Sequence, residues 1–229
     1  MSIVVAKSAG FCFGVNRAVE LVEKAAKEGG RVCTLGPIIH NRHAVAHFEE
    51  MGVKVIHSPE EAMPGSTVII RSHGVTKAVC DALEKQGVNI IDATCPFVKR
   101  IHGIVSNAET EGRLPVIIGT RSHPEVEGIV SHVRGEHYVF STAKELDELL
   151  PTLQIGEKIP IFAAQTTQSL DEWKKSQKII EKLYTNRKKF DTICKVTEKR
   201  QTEAEALASR SDAVVVIGGH DSSNTHKLY

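Results

Sequence analysis

The sequence predicts an α/β protein built from several small units, each with a mostly parallel sheet covered by helices. Three observations support this fold class. Short β-branched segments alternate with amphipathic helical segments along the whole chain. A weak internal repeat joins a strand, a polar turn, a helix and a second strand followed by Asp-x-x-Cys. No low-complexity linker interrupts this order, so the units are expected to share a common centre.

The individual elements follow from hydrophobic periodicity and from the residues that bound each run. Runs of Val, Ile, Leu or Phe bounded by glycine, proline or polar residues predict strands at 3–6, 32–35, 53–56, 67–70, 90–92, 116–118, 138–140, 159–162, 190–193 and 214–217. Apolar residues every three or four positions predict helices at 15–28, 44–51, 77–86, 97–111, 125–133, 143–149, 170–185 and 198–209. Ligands of parallel units lie beyond the carboxyl ends of the strands, so the polar turns there should face one place.

Length and composition are those of an ordinary globular chain. The 229 residues are 41% hydrophobic and 25% charged, which excludes disordered and fibrous proteins. The 29 basic and 28 acidic residues give a formal net charge of +1, so no overall field attracts nucleic acid or an anionic membrane. No apolar run approaches the roughly 20 residues of a membrane-spanning helix, and the first apolar stretch is too short for a secretory signal. These features predict a cytoplasmic protein with no nucleic-acid or membrane partner.

The five cysteines fall into two groups. Cys33 and Cys80 lie in apolar, periodic surroundings and are expected to be small buried hydrophobes. Cys12, Cys95 and Cys194 each lie where a predicted strand gives way to a turn, 83 and 99 residues apart. This spacing is unlike the paired cysteines of zinc ribbons or the clustered cysteines of ferredoxins. Spacing alone therefore favours structural cysteines over a shared metal centre.

A metal centre assembled from distant loops is the alternative for these three cysteines. Three thiolates would leave one coordination position open on a tetrahedral zinc ion or a four-iron cluster, as a catalytic metal requires. Pro96 directly after Cys95 favours this hypothesis, because a Cys-Pro step at the end of a strand is typical of iron–sulfur ligands.

Polar turns after four predicted strands contain His40, His73, His123 and the segment Ser222-Ser223-Asn224. Imidazoles, hydroxyls, an amide and helix amino termini together can form an anion site. No glycine loop of the nucleotide-binding type is present, so side chains would hold the anion. The alternatives are capping or surface histidines and a helix N-cap at the serine segment.

Two further turns carry possible chemistry. Glu125 lies at the start of a predicted helix, where the helix dipole favours an acid; the functional alternative is a general acid beside the anion and the metal. Thr166 and Thr167 follow an apolar strand, where they either cap a turn or donate hydrogen bonds to a substrate. The segment 172–190 contains seven basic and two acidic residues, which indicates a solvated face or, alternatively, a dock for an acidic electron donor.

Eight short motifs occur in the order found in a known family. They are GFCFGV at 10–15, GPIIHN at 36–41, RSHG at 71–74, DATCP at 92–96, SHPE at 122–125, QTT at 165–167, DTIC at 191–194 and SSN at 222–224. Each motif is weak alone, but eight in sequence are specific. From about residue 4 to its end, the chain resembles the 4-hydroxy-3-methylbut-2-enyl diphosphate reductase family.

The resemblance implies a fold and a cofactor. The family has three similar α/β units around a central iron–sulfur site, which would correspond to residues 1–96, 97–193 and 194–229. Family members continue past the SSN turn, so the third unit is expected to be truncated in this chain. Cys12, Cys95 and Cys194 match the ligands of a [4Fe-4S] cluster whose fourth iron lacks a protein thiolate and binds the substrate hydroxyl.

The resemblance also implies a reaction and a role for each polar residue. His40, His73, Ser222, Ser223 and Asn224 match the residues that bind the diphosphate; His123, Thr166 and Thr167 match groups near the allylic alcohol; Glu125 matches the residue that delivers protons. The implied reaction is reductive dehydroxylation of (E)-4-hydroxy-3-methylbut-2-enyl diphosphate to isopentenyl and dimethylallyl diphosphates, the last step of the non-mevalonate isoprenoid pathway. A donor such as ferredoxin or flavodoxin would supply the electrons.

Two alternatives from other classes compete with this enzyme. The first is a non-catalytic iron–sulfur or redox-sensing fragment, which would keep the cysteines but need neither Glu125 nor the diphosphate residues. The second is a zinc-dependent hydrolase that uses the same three cysteines. A three-thiolate catalytic zinc site beside a diphosphate site would be unusual, which disfavours the hydrolase.

Overall fold

The computed structural model describes residues 3–229 and contains two four-stranded parallel sheets, each covered by helices. The strands are β1 (Val32–Leu35), β2 (Lys54–Ile56), β3 (Thr67–Ile70), β4 (Asn89–Asp92), β5 (Arg113–Ile118), β6 (Tyr138–Phe140), β7 (Ile159–Ala164) and β8 (Lys188–Phe190). The helices are α1 (Phe13–Glu28), α2 (Arg42–Glu50), α3 (Lys77–Lys85), α4 (Pro96–Ser106), α5 (Pro124–Ser131), α6 (Ala143–Leu149), α7 (Leu170–Leu183), α8 (Lys195–Ala208) and α9 (Ser223–His226). Short 3-10 turns lie at Pro59–Glu61 and Leu150–Thr152.

The two sheets share one topology. The first has the strand order β2-β1-β3-β4 and the second the order β6-β5-β7-β8. Every neighbouring pair is parallel, so the carboxyl ends of all four strands in a sheet lie at one edge. From one central strand of each sheet the chain continues to the edge strand on one side, and from the other central strand it continues to the edge strand on the opposite side. The switch point lies between these two central strands. Crevices at such switch points are where parallel α/β sheets bind ligands.

Helices cover both faces of each sheet, and the apolar side chains of a strand point alternately to one face and to the other. In the second sheet, Val116 and Ile118 of β5 pack against α6 and α7, whereas Ile117 between them packs against α4 and α5. In the first sheet, Ile69 faces α1 and α2, whereas Val68 and Ile70 face α3. Covering both faces in this way is characteristic of parallel sheets and makes their strands continuous hydrophobic runs.

The predicted fold class is confirmed, and eight of the predicted strands overlap strands of the structure. The prediction at 190–193 overlaps β8 only at its last residue, Phe190. The hydroxyl of Thr192 donates to the carbonyl oxygen of Ala164 at 2.7 Å and accepts from its amide at 2.8 Å. The side chain of Thr192 thus replaces the backbone hydrogen bonds that would continue the pairing of β8 with β7, and β8 ends at Phe190.

The predicted strands at 3–6 and 214–217 are wrong. Neither segment pairs with a strand, and Val5 and Ile217 are 75% and 93% exposed. A strand forms only where a neighbour completes its hydrogen bonds, and residues 3–229 contain no third sheet to supply one. The short helix α9 was predicted only as a possible N-cap. The division into units at residues 96 and 193 stays a prediction.

No helix within residues 3–229 has the length and apolar character needed to span a membrane.

Candidate active site

The sequence-predicted site residues lie at the carboxyl ends of the strands, at the two switch points. In the first sheet, the turn after β1 carries His40 and the turn after β3 carries His73. In the second sheet, the turn after β5 leads to Glu125, and the turn after β7 carries Thr166. The fold therefore brings four turns, distant in sequence, to two adjacent crevices.

Each of the three singled-out cysteines is the N-cap residue of a helix: Cys12 of α1, Cys95 of α4 and Cys194 of α8. All three are free and partly exposed. The helices begin directly after the cysteines, earlier than the periodicity predicted, so each thiol lies at a helix amino terminus. The partial positive charge at that end would stabilise a metal-bound sulfur.

The cysteines of the two sheet units occupy equivalent positions. The amide of Cys95 donates to the carbonyl oxygen of Ser72 at 2.9 Å, and the amide of Cys194 donates to that of Thr166, also at 2.9 Å. Each cysteine is thereby held beside the polar turn of its own unit. The weak repeat in the sequence is this shared arrangement of strand, polar turn, helix, strand and cysteine.

The thiol of Cys95 lies close to the start of α1. A Cβ atom at Gly14 would lie 2.7 Å from the sulfur of Cys95, so only glycine allows this approach. Burial raises the pKa of the Cys95 thiol, and the neighbouring sulfurs of Cys12 and Cys194 raise it further. Three thiolates that repel one another would be stabilised by a cationic group between them, so the residues present fit an iron–sulfur cluster.

The cysteines do not fit a single metal ion equally well. Across residues 3–229, no three His, Cys, Asp or Glu side chains are grouped closely enough to hold one ion. A zinc ion requires sulfur ligands at about 2.3 Å from one point. In a four-iron cluster, by contrast, each cysteine binds a different iron atom, so its sulfurs can lie farther apart.

The loop before Cys12 is attached to α8 by residues that the sequence reasoning missed. The carboxylate of Glu203 accepts from the amides of Lys7 and Ser8 at 2.7 and 2.8 Å. The guanidinium of Arg200 donates to the carbonyl oxygens of Ser8, at 3.1 Å, and Gly10. Because α8 begins directly after Cys194, these contacts connect the loops of two candidate ligands. No sequence motif marked either residue.

A third missed residue, Arg17 on α1, supports the loop of Cys95. Its guanidinium donates to the carbonyl oxygens of Asp92 and Thr94 at 3.3 and 3.4 Å. Asp92 in turn accepts from the amide of Thr94 at 2.9 Å and pairs with Lys99 at 2.5 Å. The position of Arg17, five residues after Cys12, was the one signal in the sequence, and such a spacing is too common to be informative.

The three predicted histidines form a row. The ring centroids of His40 and His73 are 4.9 Å apart, and those of His73 and His123 are 5.5 Å apart. Burial lowers the pKa of His73 to about 3 and that of His123 to about 4, and burial also lowers the pKa of His40. The row is therefore neutral at physiological pH.

Each histidine of this row has a buried nitrogen without a hydrogen-bond partner in the described chain: Nε2 of His40, Nδ1 of His73 and Nε2 of His123. In His123, Nδ1 accepts from the amide of Glu125 at 3.1 Å, which caps α5. The neutral ring therefore carries its proton on Nε2, where it is free to donate. Buried polar atoms are rarely left unsatisfied, so these nitrogens indicate a place for a ligand.

Glu125 is the most constrained acid at the site. It is 1% exposed, and its carboxylate accepts from the amide of Thr166 at 2.6 Å and from the Thr166 hydroxyl at 2.7 Å. Burial raises the pKa of Glu125 to about 7, although both hydrogen bonds from Thr166 lower it. A carboxyl group that titrates near neutral pH is suited to proton transfer.

The segment 222–224 meets the second sheet unit at Thr167. The Thr167 hydroxyl donates to the hydroxyl of Ser223 at 2.8 Å and accepts from the side-chain amide of Gln165 at 2.9 Å. Ser222 is the N-cap of α9, as the alternative interpretation predicted. The Asn224 amide oxygen accepts from the hydroxyl of Thr197 at 3.4 Å. Gly219, just before this segment, packs against the carbonyl of His40, where a Cβ atom would clash.

We expect Thr166→Val to raise the pKa of Glu125 above its value of about 7. The valine removes a hydrogen bond to the charged carboxylate but retains the backbone amide, so the charged form loses stabilisation. Titration of the Glu125 carboxyl by infrared or carbon NMR spectroscopy measures the shift. Thr202→Val, at an exposed position of α8, is the control. An unchanged or lower pKa would contradict the assignment of this contact.

Fold and site together place the chain among α/β proteins that bind ligands at the carboxyl ends of parallel strands, between repeated units. The family described as LytB protein matches residues 3–229. Proteins named 4-hydroxy-3-methylbut-2-enyl diphosphate reductase are similar along the whole chain: that of Geotalea uraniireducens is 42% identical, with 100% of this chain and 79% of the relative covered, and that of Aquifex aeolicus is 41% identical, with 100% and 78% covered. The chain belongs to the LytB protein family.

Two solved structures agree with this assignment. One, described as the terminal enzyme of the non-mevalonate pathway, (E)-4-hydroxy-3-methyl-but-2-enyl diphosphate reductase, has a TM-score of 0.77 at 41% identity over 99% of this chain and 80% of that one. The E-1-hydroxy-2-methyl-but-2-enyl-4-diphosphate reductase from Plasmodium falciparum has a TM-score of 0.90 at 27% identity over 96% and 69%. The resemblance seen in the eight motifs is thereby confirmed.

Proposed function

We propose that this chain is a 4-hydroxy-3-methylbut-2-enyl diphosphate reductase, which removes the allylic hydroxyl of its substrate and forms isopentenyl and dimethylallyl diphosphates. The names of its relatives support this activity. In the reaction the carbon–oxygen bond breaks, a carbon–hydrogen bond forms, two electrons and two protons are consumed, and the oxygen leaves as water. The observation that carries the proposal is the buried Glu125, whose pKa is about 7, joined through Thr166 to Cys194.

The cofactor of the proposed reaction is a [4Fe-4S] cluster held by Cys12, Cys95 and Cys194. Support comes from the convergence of three free thiols at helix amino termini and from the approach of Gly14 to the Cys95 sulfur. When bound, such a cluster supplies single electrons and a Lewis-acidic iron, which protein side chains cannot do.

The diphosphate of the substrate would be bound by His40, His73, Ser222, Ser223 and Asn224. The unpartnered nitrogens of the two histidines point to a ligand that accepts hydrogen bonds, as phosphate oxygens do. Binding energy from this remote group fixes the orientation of the carbon–oxygen bond that breaks. His123, Thr166 and Thr167 would surround the other end of the substrate. His123 belongs to the histidine row and accepts from the amide of Glu125, Thr166 donates to the Glu125 carboxylate, and Thr167 contacts Ser223.

Glu125 would deliver the proton that converts the departing hydroxyl into water. Near neutral pH its carboxyl is protonated in a large fraction of molecules, since its pKa is about 7. The amide and hydroxyl of Thr166 stabilise the carboxylate that remains after the proton has left. The same contact pair therefore orients the acid and lowers the cost of its ionisation.

An electron donor such as ferredoxin or flavodoxin in the cytoplasm would complete the system. The exposed lysines of α7, including Lys174, Lys175 and Lys178, offer a basic face that complements an acidic donor. In this proposal the units 1–96 and 97–193 hold the sheets, and residues 194–229 begin the third. The redox-sensing alternative is not favoured, because a sensor requires neither the buried Glu125 nor the unpartnered histidines.

Anaerobic turnover tests the proposal. The 229-residue chain, with its cluster reconstituted, is mixed with a one-electron reductant and 4-hydroxy-3-methylbut-2-enyl diphosphate, and the five-carbon diphosphate products are measured. We expect both products to form. A sample that carries cluster iron and sulfide, binds the substrate and yet forms no product would contradict catalysis by this chain. Iron and acid-labile sulfide analysis also separates the zinc alternative, which requires neither.

A further inference from the structure

The histidine row lacks a feature that the binding of a diphosphate requires. A diphosphate carries several negative charges, and transferring them from water to a partly buried site is costly without a positive charge to pair with them. The pKa of His73 is about 3 and that of His123 about 4, so neither ring is charged at neutral pH in the free protein. The hydroxyls and amide of the segment 222–224 are neutral as well. A fixed cation beside the row would meet this need.

Arg71 lies in the position from which a cation could act on the whole row. It is the first residue after β3, two residues before His73, at the switch point of the first sheet. Its Nη1 atom packs over Gly36, the residue that follows β1, at 3.0 Å from where a Cβ atom would lie. Gly36 has a φ of 70°, so glycine both permits the turn and makes room for the guanidinium.

The guanidinium of Arg71 is not neutralised by a partner in the described part of the chain. Its Nε atom is buried and has no hydrogen-bond acceptor, and no carboxylate of residues 3–229 forms an ion pair with it. Burial lowers the pKa of Arg71, and the charge of Glu127 on the first turn of α5 acts in the opposite direction. An arginine remains charged under such conditions, so the half-buried guanidinium keeps its positive charge with no ion-pair partner among the described residues.

The electrostatic environment of the histidines agrees with this placement. After burial, the charge of Arg71 is among the causes that lower the pKa of His40, His73 and His123 alike. Outside the row itself, Asp221 raises the pKa of His40, and Lys227 lowers that of His123. Within residues 3–229, Arg71 is the one charged residue outside the row that acts on all three rings.

We propose that Arg71 provides the fixed positive charge of the diphosphate site, an inference that rests on the function proposed above. The histidines then act as neutral hydrogen-bond donors that position the phosphate oxygens, and Arg71 supplies the electrostatic attraction. A guanidinium suits this role because it stays charged and offers several donors in one plane.

Binding of inorganic pyrophosphate, measured by calorimetry on the 229-residue chain at low salt, tests the proposal. Arg71→Gln removes the charge and should weaken binding by about tenfold or more, the scale of one charge-assisted hydrogen bond. Arg71→Lys keeps the charge and should retain most of the affinity. Arg134→Gln removes an equal charge from an exposed position three residues after the end of α5 and should bind like the parent chain. Thermal unfolding of each variant confirms that it is folded.

A second measurement, made without any ligand, separates the effect of the Arg71 charge from the effect of its side-chain shape. If Arg71 repels protons from the row, Arg71→Gln should raise the pKa values of His73 and His123 in an NMR titration, whereas Arg71→Lys should leave them near their parent values. A folded Arg71→Gln variant with unchanged pyrophosphate affinity would overturn the proposal, as would a loss confined to Lys227→Gln. If the parent chain itself binds no pyrophosphate, the diphosphate site of the proposed function fails, which is a distinct result.

Discussion

Glu125→Gln should reduce turnover by about 10²–10⁴-fold, the usual contribution of a positioned general acid, while the chain keeps its cluster and its affinity for pyrophosphate. Glutamine has the shape of glutamate and can remain beside Thr166, but it cannot release the proton that the departing hydroxyl needs. The measurement is anaerobic product formation under saturating substrate, together with iron content. Glu205→Gln, at an exposed position of α8, is the control and should turn over like the parent. A fully active Glu125→Gln variant would remove Glu125 from the mechanism.

The same variant has a consequence for stability that does not depend on activity. The pKa of Glu125 is about 7 in the folded chain and about 4.5 when unfolded, so between these values the folded state binds more protons. The free energy of unfolding should therefore fall as pH rises through this window, by up to about 3 kcal/mol from this group. Glu125→Gln should lack this fall. The buried histidines change the free energy of unfolding in the opposite direction, but they do so equally in the parent and the variant. Urea unfolding of both proteins at pH 5 and at pH 8 therefore isolates the contribution of Glu125, because the effect of the histidines cancels when the two pH-dependent changes are subtracted.

Cys95→Ser should greatly reduce the amount of cluster that the chain binds. A serine hydroxyl stays protonated near neutral pH and is a poor ligand for iron, so one of three attachment points is lost. Removing a supporting partner in a metal site already costs roughly 10–100-fold in affinity, and removing a ligand should cost at least as much. Iron and sulfide content after anaerobic reconstitution, with the visible absorption of the cluster, measures the loss.

Cys80→Ser is the matched control for this prediction. Cys80 is also a free cysteine, but it lies within α3, packs with Val79 and Leu83 against the first sheet, and is not the N-cap of a helix. We expect this variant to bind the cluster like the parent chain. Equal cluster content in Cys95→Ser and the parent, with both folded, would contradict the role assigned to Cys95.

The sequence by itself determined the local elements that have strong hydrophobic periodicity. The central strands of both sheets, β1, β3, β5 and β7, are mostly buried apolar runs because parallel sheets are covered on both faces, and this signal survives without any tertiary information. The eight ordered motifs likewise identified the family before any fold was known. Sequence periodicity did not reveal that α1, α4 and α8 begin directly after a cysteine, since a cap is set by one residue and not by a repeating pattern.

Only the tertiary structure decided which segments pair and which atoms meet. The runs at 3–6 and 214–217 have the composition of strands, but strand pairing is non-local, and residues 3–229 offer them no sheet. The raised pKa of Glu125, the neutral histidine row and the unpaired charge of Arg71 all arise from burial and from neighbours far away in sequence. Residue type and spacing indicate which chemistry is available, but desolvation and contact, which set its direction and strength, exist only once the chain has folded.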